Sequence, residues 1–260
     1  MATGFLAGFE VIAGEEAGTF TAGVPKRLVL HTTEGSSIAG AVAEYRKKRN
    51  CFPHFTVDAG RRQRAQHYPV DVSARALHKG KPGVQTNPWG AIQIEIVGFA
   101  KRTHLLPDDE LRWLATEVIG PILAAVPSIK LDHPKFKGEG EGLLAHVNAK
   151  QRMTPEAWKA FDGICGHQHV PENDHWDPGR FPIDKVLGFL DPSRRKPVNE
   201  EDDDMTFITT PDKRIVLLHA GKLVHIGKLE GIDADVNSWD LSKDEATWKN
   251  LQTAYGGVVG

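Results

Sequence analysis

Only two cysteines occur in this chain of 260 residues, Cys51 and Cys165, too few for a disulfide framework. Each reads as a small buried hydrophobe. Long apolar runs are missing too. None reaches the eighteen or so residues of a membrane span, so no membrane partner is expected. The opening stretch MATGFLAGFEVIAGEEAG has no basic leader before its apolar part and soon meets acids. It does not read as a signal peptide, and the expectation is synthesis in the cytoplasm. Charge of one sign is scarce as well: 32 Lys and Arg against 34 Asp and Glu leave a net charge of −2, with no basic field for nucleic acid. The remainder is that of a soluble globular protein, 40% hydrophobic and 25% charged. The length suits one large domain, or one domain with a small appendage. Histidine is the one residue in surplus, with 12 copies.

Strands and helices alternate along the first two thirds. KRLVLHTTEG (26–35) predicts a buried strand with a polar exit at Glu34-Gly35. SSIAGAVAEYRKKRN follows as a helix, with Ser36 or Ser37 as its cap and a basic last turn that complements the helix dipole. FPHFTVDAG is a strand, and RRQRAQHYP is its hairpin partner, polar enough to be a sheet edge. WGAIQIEIVGFA (89–100) is a second strong strand, with Ile92, Ile94 and Ile96 on one face and Gln93, Glu95 and Val97 on the other. PDDELRWLATEVIGPILAAV (107–126) has a proline and acids at a helix start and helical apolar spacing. TPEAWKAFDG and FPIDKVLGFL (181–190) are short helices, the former capped by Thr154 with Pro155 in its first turn.

This pattern predicts an α/β domain over residues 1–190, a central mixed β-sheet flanked by helices. DPSRRKPVNEEDDD (191–204) reads as a linker. Residues 205–260 read as a small α+β appendage, with three short β-like runs separated by PDK and AGK turns and then a helical SKDEATWKNLQTAY.

His31 stands at the end of a buried strand, where α/β sheets place functional residues; its plain alternative is a hydrogen-bonded core histidine. His167 and Asp177 flank a loop in GHQHVPENDHWDPG (166–179). A His, His, Asp set leaves one open tetrahedral position, the pattern of a catalytic zinc site, though the chain offers many such combinations.

Taken in order, VLHTTEG, PHFTVD, AIQIEIVG and GHQHVPENDHWDPG resemble the zinc-dependent N-acetylmuramoyl-L-alanine amidases, a family that includes the peptidoglycan recognition proteins and many bacteriophage endolysins. The resemblance covers about residues 26–190. It implies one zinc per chain, held by His31, His167 and Asp177. It implies that Glu95 acts on water as general base and that His175 stabilises the oxyanion and helps protonate the leaving amine. It implies peptidoglycan as partner, a monomeric enzyme, and action on the cell wall after release, as in a phage lysin degrading its host's wall. A non-catalytic recognition module, another zinc hydrolase acting on a different amide, and a cytosolic amidase that recycles wall fragments are the alternatives. In the appendage, the family context suggests wall binding, with a structural or oligomerising domain as its alternative.

Some relatives carry a tyrosine just before the histidine of HF; here that position is Pro53, so tyrosine assistance is not carried over. His54 reads as either a pocket residue or core packing. His78 reads as either a substrate contact or a loop residue. Asn87 and Trp89 either line the groove or anchor the loop. His169 lies two residues beyond His167, and the family's spacing selects His167. His67, His104, His133 and His146 have no spacing partner and read as surface or loop residues. The polar stretch 128–153 is either a wall of the groove or an insertion.

Overall fold

A computed structural model describes residues 4–14, 18–21, 23–48, 51–77, 87–138, 143–146 and 148–194, together with the backbone of five strands beyond residue 205. The chain divides into two compact units, Met1–Arg195 and Lys196–Gly260.

The first unit is built on a six-stranded mixed sheet, flanked by helices. Its strands are β1 (Glu10–Val11), β2 (Arg27–Thr32), β3 (Phe55–Asp58), β4 (Gln63–Gln66), β5 (Ala91–Ile96) and β6 (Ile164–Gly166), in the order β1-β4-β3-β5-β2-β6. β3 and β4 form the antiparallel hairpin; β2 is parallel to both β5 and β6, and β3 is parallel to β5. β4 is not the edge its polarity suggests. The two-residue β1 pairs beside it, and its buried Ala65 and Gln66 face protein.

The two faces of the sheet differ in chemistry because alternate residues point to opposite sides. Leu28, Leu30, Phe55, Val57, Ile92, Ile94, Ile96 and Ile164 form the apolar face, in one cluster with the helices behind it. Those helices are α2 (Asp108–Trp113), which runs through a π-helical stretch (Leu114–Ile119) into α3 (Gly120–Ala125), and α5 (Ile183–Leu190). Each fully buried aliphatic side chain there contributes about 1.5–3 kcal/mol. The π stretch precedes Pro121, which has no N–H to return to the helix. The main-chain carbonyl of Glu117, four residues earlier, is taken by Arg64 from β4.

The opposite face carries Arg27, His31, Gln93, Glu95 and Thr56. Helix α1 (Ile38–Lys47) starts at Ser37, whose side chain accepts from Gly40 N at 3.1 Å, and ends on Arg46 and Lys47. Its Ile38, Ala41, Val42 and Tyr45 pack with Phe52, Ala65, Tyr68 and Ala74. Helix α4 (Pro155–Ala160) is capped by Thr154 and drops Trp158 among Val29, Leu77, Ala91 and Cys165. Burial pushes the Cys165 thiol up to about 12, so it packs as a hydrophobe. Beside α1 the polar face opens, near the carboxyl ends of β2 and β5.

The second unit holds a five-stranded sheet in the order β10-β7-β8-β9-β11, from β7 (Thr206–Thr209), β8 (Ile215–His219), β9 (Lys222–Gly227), β10 (Ser238–Asp240) and β11 (Val258–Val259). The three β-like runs of the sequence are β7, β8 and β9, joined antiparallel. The expected helix at SKDEATWKNLQTAY lies outside the described residues. Among the described residues, no helix is long and apolar enough to cross a membrane.

Candidate active site

Strand register brings the first residues together. His31 on β2 is the direct neighbour of Glu95 on β5, and Glu95 in turn faces Thr56 on β3. These three share the polar face. β6, on the other side of β2, delivers the chain to His167 at the start of a short 3-10 turn (His167–His169).

The loop that follows returns Asp177 to the same point. Gln168 N donates to Asp177 O at 2.9 Å, and Gln168 Nε2 donates to Gly179 O at 2.9 Å. Thr103 Oγ1 donates to Pro178 O at 2.6 Å, and the Asp177–Pro178 peptide is cis. Gly179 has φ +72°, and a Cβ there would meet Ala100 O at 2.3 Å, so only glycine fits. Arg152 ties the loop by donating to the carbonyls of Gln168 (2.6 Å), His175 (2.7 Å) and Asn173.

His31, His167 and Asp177 thereby form a buried group that can hold a metal ion. His31 Nδ1 lies 3.1 Å from His167 Nδ1. Asp177 Oδ2 is 3.4 Å from His31 Nδ1, and its Oδ1 is 3.2 Å from His167 Nδ1. Burial pushes His167 down to about 4, leaving it neutral at neutral pH. Burial works against ionisation of Asp177, but the histidines' electrostatic pull and hydrogen bonds outweigh it and hold the carboxyl well below its usual range. His167 and Asp177 are therefore deprotonated where a metal needs them to be.

The group opens on a cleft of about 920 Å³ lined also by Glu34, Tyr45, Arg75, Asn87, Glu95 and His175. Glu95 is half-buried on its floor, and its Oε2 is a buried atom without a hydrogen-bond partner among the described residues. Burial first, then the charges of Asp177 and Glu34, pushes its carboxyl well above the usual range. His175 stacks on His167, with ring centroids 4.3 Å apart, and its Nδ1 is 3.6 Å from Asp177 Oδ1. The half-exposed imidazole is pushed up by its hydrogen bond to Asp177.

Other expected contacts fall elsewhere. His54 is a core residue, not a pocket one. Its Nε2 donates to Val72 O at 2.9 Å, and its Nδ1 accepts from Gln93 N at 3.1 Å, which locks β3 to β5. Trp89 does not face the cleft. It lines a separate hollow of about 300 Å³ with Val24, Lys26, Arg27 and Lys159, and Lys159 Nζ sits 4.7 Å from its ring. Asn87 lines the cleft but its Oδ1 is engaged by Leu77 N (3.1 Å) and Gln93 Nε2 (2.7 Å), a brace for the rim. His78 lies outside the described residues. His169 is buried with both nitrogens used, Nδ1 by Gly166 N (2.9 Å) and Nε2 by Lys135 O (3.1 Å). His67 is buried rather than superficial. No described residue of 128–153 lines the cleft; Phe136 instead packs under the loop against His169.

Sequence reasoning missed Glu34, Tyr45, Arg75 and Arg152. Glu34 (φ +46°) ties the exit of β2 to the next layer by accepting from Thr32 Oγ1 (2.8 Å) and Ala100 N (2.7 Å). The polar exit at Glu34-Gly35 was its only sequence signal. Tyr45 was hidden by its place on an amphipathic helix.

No family model matches the chain, and no curated protein matches it. Among solved structures it is similar to AmpD, with 16% identity over 73% of this chain and 98% of that one, at a TM-score of 0.48. It is similar to the Staphylococcus aureus hydrolase AmiA, with 16% identity over 73% of this chain and 84% of that one, at a TM-score of 0.48. It is similar also to the N-acetylmuramoyl-L-alanine amidase LysC of Clostridium intestinale, with 13% identity over 70% of this chain and 96% of that one, at a TM-score of 0.43.

Proposed function

We propose that the chain is a zinc-dependent N-acetylmuramoyl-L-alanine amidase that hydrolyses the amide between the lactyl group of muramic acid and L-alanine of peptidoglycan. The observation that carries this reading is the convergence of buried His31, His167 and Asp177 on a cleft lined also by Glu95. The two Nδ1 atoms stand 3.1 Å apart, and each has one oxygen of Asp177 within 3.2–3.4 Å, Oδ2 for His31 and Oδ1 for His167. Tetrahedral zinc ligands at about 2.0–2.1 Å from the ion lie about 3.3 Å from one another, so the donor set fits in both chemistry and spacing. When bound, zinc supplies a Lewis acid for the carbonyl and an acidified water.

The protein's own groups do the rest. Glu95, with its raised affinity for a proton and an unpartnered oxygen, takes the proton of the attacking water. His175, charged further into neutral pH than an ordinary histidine, faces the cleft as a donor for the developing oxyanion and for the leaving alanine nitrogen. The sequence resemblance over residues 26–190 suggests the bond, and the geometry of the site is consistent with each role. Retention of Glu95 with the full ligand set favours this enzyme over a recognition module.

We read residues 1–190 as the catalytic domain, 191–204 as the linker and 205–260 as a wall-binding unit. A targeting unit favours a lysin acting on intact wall, such as a phage lysin, over an enzyme of soluble fragments. Deleting 205–260 and measuring sedimentation with purified walls tests that part: unchanged binding removes it. The amidase reading is tested by zinc content and amine release from peptidoglycan, without new reducing sugars, for the wild type and Asp177→Ala. One zinc per chain with both properties lost in the variant is expected. Bound zinc without amine release would overturn the reading.

A further inference from the structure

Helix α1 carries a cleft side chain that the mechanism above leaves unused. Tyr45 lines the cleft with Glu95 and Glu44. Its hydroxyl lies 3.2 Å from Thr56 Oγ1, Thr56 Oγ1 lies 2.8 Å from His67 Nε2, and His67 Nδ1 lies 2.7 Å from Ile12 O.

The direction of this chain follows from its far end. A carbonyl only accepts, so His67 Nδ1 carries the hydrogen. Burial pushes His67 down to about 4, which leaves the ring neutral and its Nε2 a bare lone pair. Thr56 must donate to it. With its one hydrogen spent, Thr56 can only accept from Tyr45. The phenolic hydrogen is thus committed inward to β3, and only a lone pair of the oxygen is left for the cleft. Burial and the nearby Glu95 push the phenol up, so it stays un-ionised.

We propose that Tyr45 is a substrate-positioning residue, a one-way acceptor that takes a hydrogen bond from an N–H or O–H of the bound muramoyl peptide beside the cleaved amide. This rests on the amidase reading. Thr56 stands directly across from Glu95 in the sheet, so the chain is built into the same row of residues as the proton-accepting carboxylate. A neutral hydrogen bond of this kind binds the substrate and its transition state alike, so it governs KM and not kcat.

The zinc-loaded full chain is assayed on a soluble muramoyl peptide. Tyr45→Phe is expected to raise KM about fivefold to tenfold, with kcat within about twofold and zinc content unchanged. Thr56→Val, which keeps the phenolic oxygen, is expected to raise KM less than Tyr45→Phe does. Nitrogen-15 NMR of the full chain is expected to show His67 protonated at Nδ1 and bare at Nε2. An unchanged KM in Tyr45→Phe, a fall confined to kcat, or a hydrogen on His67 Nε2 would overturn the proposal. If the wild type releases no amine, the amidase reading fails first. Calorimetric affinity of the wild type and Tyr45→Phe for the same muramoyl peptide then decides the role of Tyr45, equal affinities sinking it.

Discussion

His31 and Glu95 occupy paired positions on adjacent parallel strands, so the hydrogen-bond register of β2 and β5 sets a candidate metal ligand beside a candidate base. A slip of one residue would turn one of them into the apolar layer.

Glu95 is expected to matter for chemistry and not for metal. Glu95→Gln keeps the shape of the side chain and should retain one zinc per chain while amine release falls at least a hundredfold. Metal analysis beside a turnover assay checks this; a variant with near-normal turnover would remove Glu95 from the mechanism.

His175 gives a pH dependence whose sign follows from its role as a donor. In the metal-free protein Asp177 pushes its imidazole up, and the charged donor form is lost as pH rises. The alkaline limb of activity should follow that loss. His175→Lys should retain more activity than His175→Ala and carry the limb to higher pH. A limb that does not move assigns it to another group.

Acid stability should be set largely away from the site. His54, His67 and His169 are buried and neutral, each pushed down to about 4 by burial. Their folded values lie below the unfolded value, so the stability they contribute is present above about pH 6.5 and lost as pH falls toward 4. Protonating each costs on the order of 3 kcal/mol more in the fold than in the unfolded chain. Urea midpoints should fall steeply between pH 7 and pH 5, and less steeply in His67→Gln. Parallel curves would contradict the account.

Arg152 holds the ligand loop through three carbonyls. Arg152→Ala should cost on the order of 2 kcal/mol, read as a lower Tm, and weaken zinc affinity because Asp177 is carried by that loop. Arg152→Lys, without the planar fork, should fall between. Zinc titration by calorimetry separates loosening of the loop from a merely less stable fold.

Gly179 tests the loop's other end. At φ +72° with Ala100 O in the way, Gly179→Ala should destabilise by several kcal/mol. Soluble expression at reduced temperature and a thermal melt measure it.

Strands β2 to β5 and β7 to β9 and the helices of the first unit were legible because their periodicities are clean, whereas β1, β6, β10 and β11, two or three residues long, carry no periodicity and were not read. The isoleucine row of β5 and the caps of α1 and α4 are local signals. The grouping of His31, His167 and Asp177 was legible through spacing and resemblance together. What escaped depends on long-range geometry. In sequence His54 reads equally as a pocket residue and His67 as a surface one, and only the strand pairing shows that Val72, Gln93, Ile12 and Thr56 claim their nitrogens. Trp89 precedes β5 on the side away from the carboxyl ends, so it faces a different hollow. Pro53 removed one tyrosine position, while Tyr45 reached the cleft from a helix that sequence periodicity marks only as packed.

The grip of Arg152 also bears on how such a site can diversify. Carbonyl oxygens belong to every residue type, so the clamp reads the path of the loop and is blind to its lettering. Exposed positions such as Asp174 can therefore change without loosening that grip, whereas buried His169, Val170 and Asn173 are tied to the frame by their own side chains.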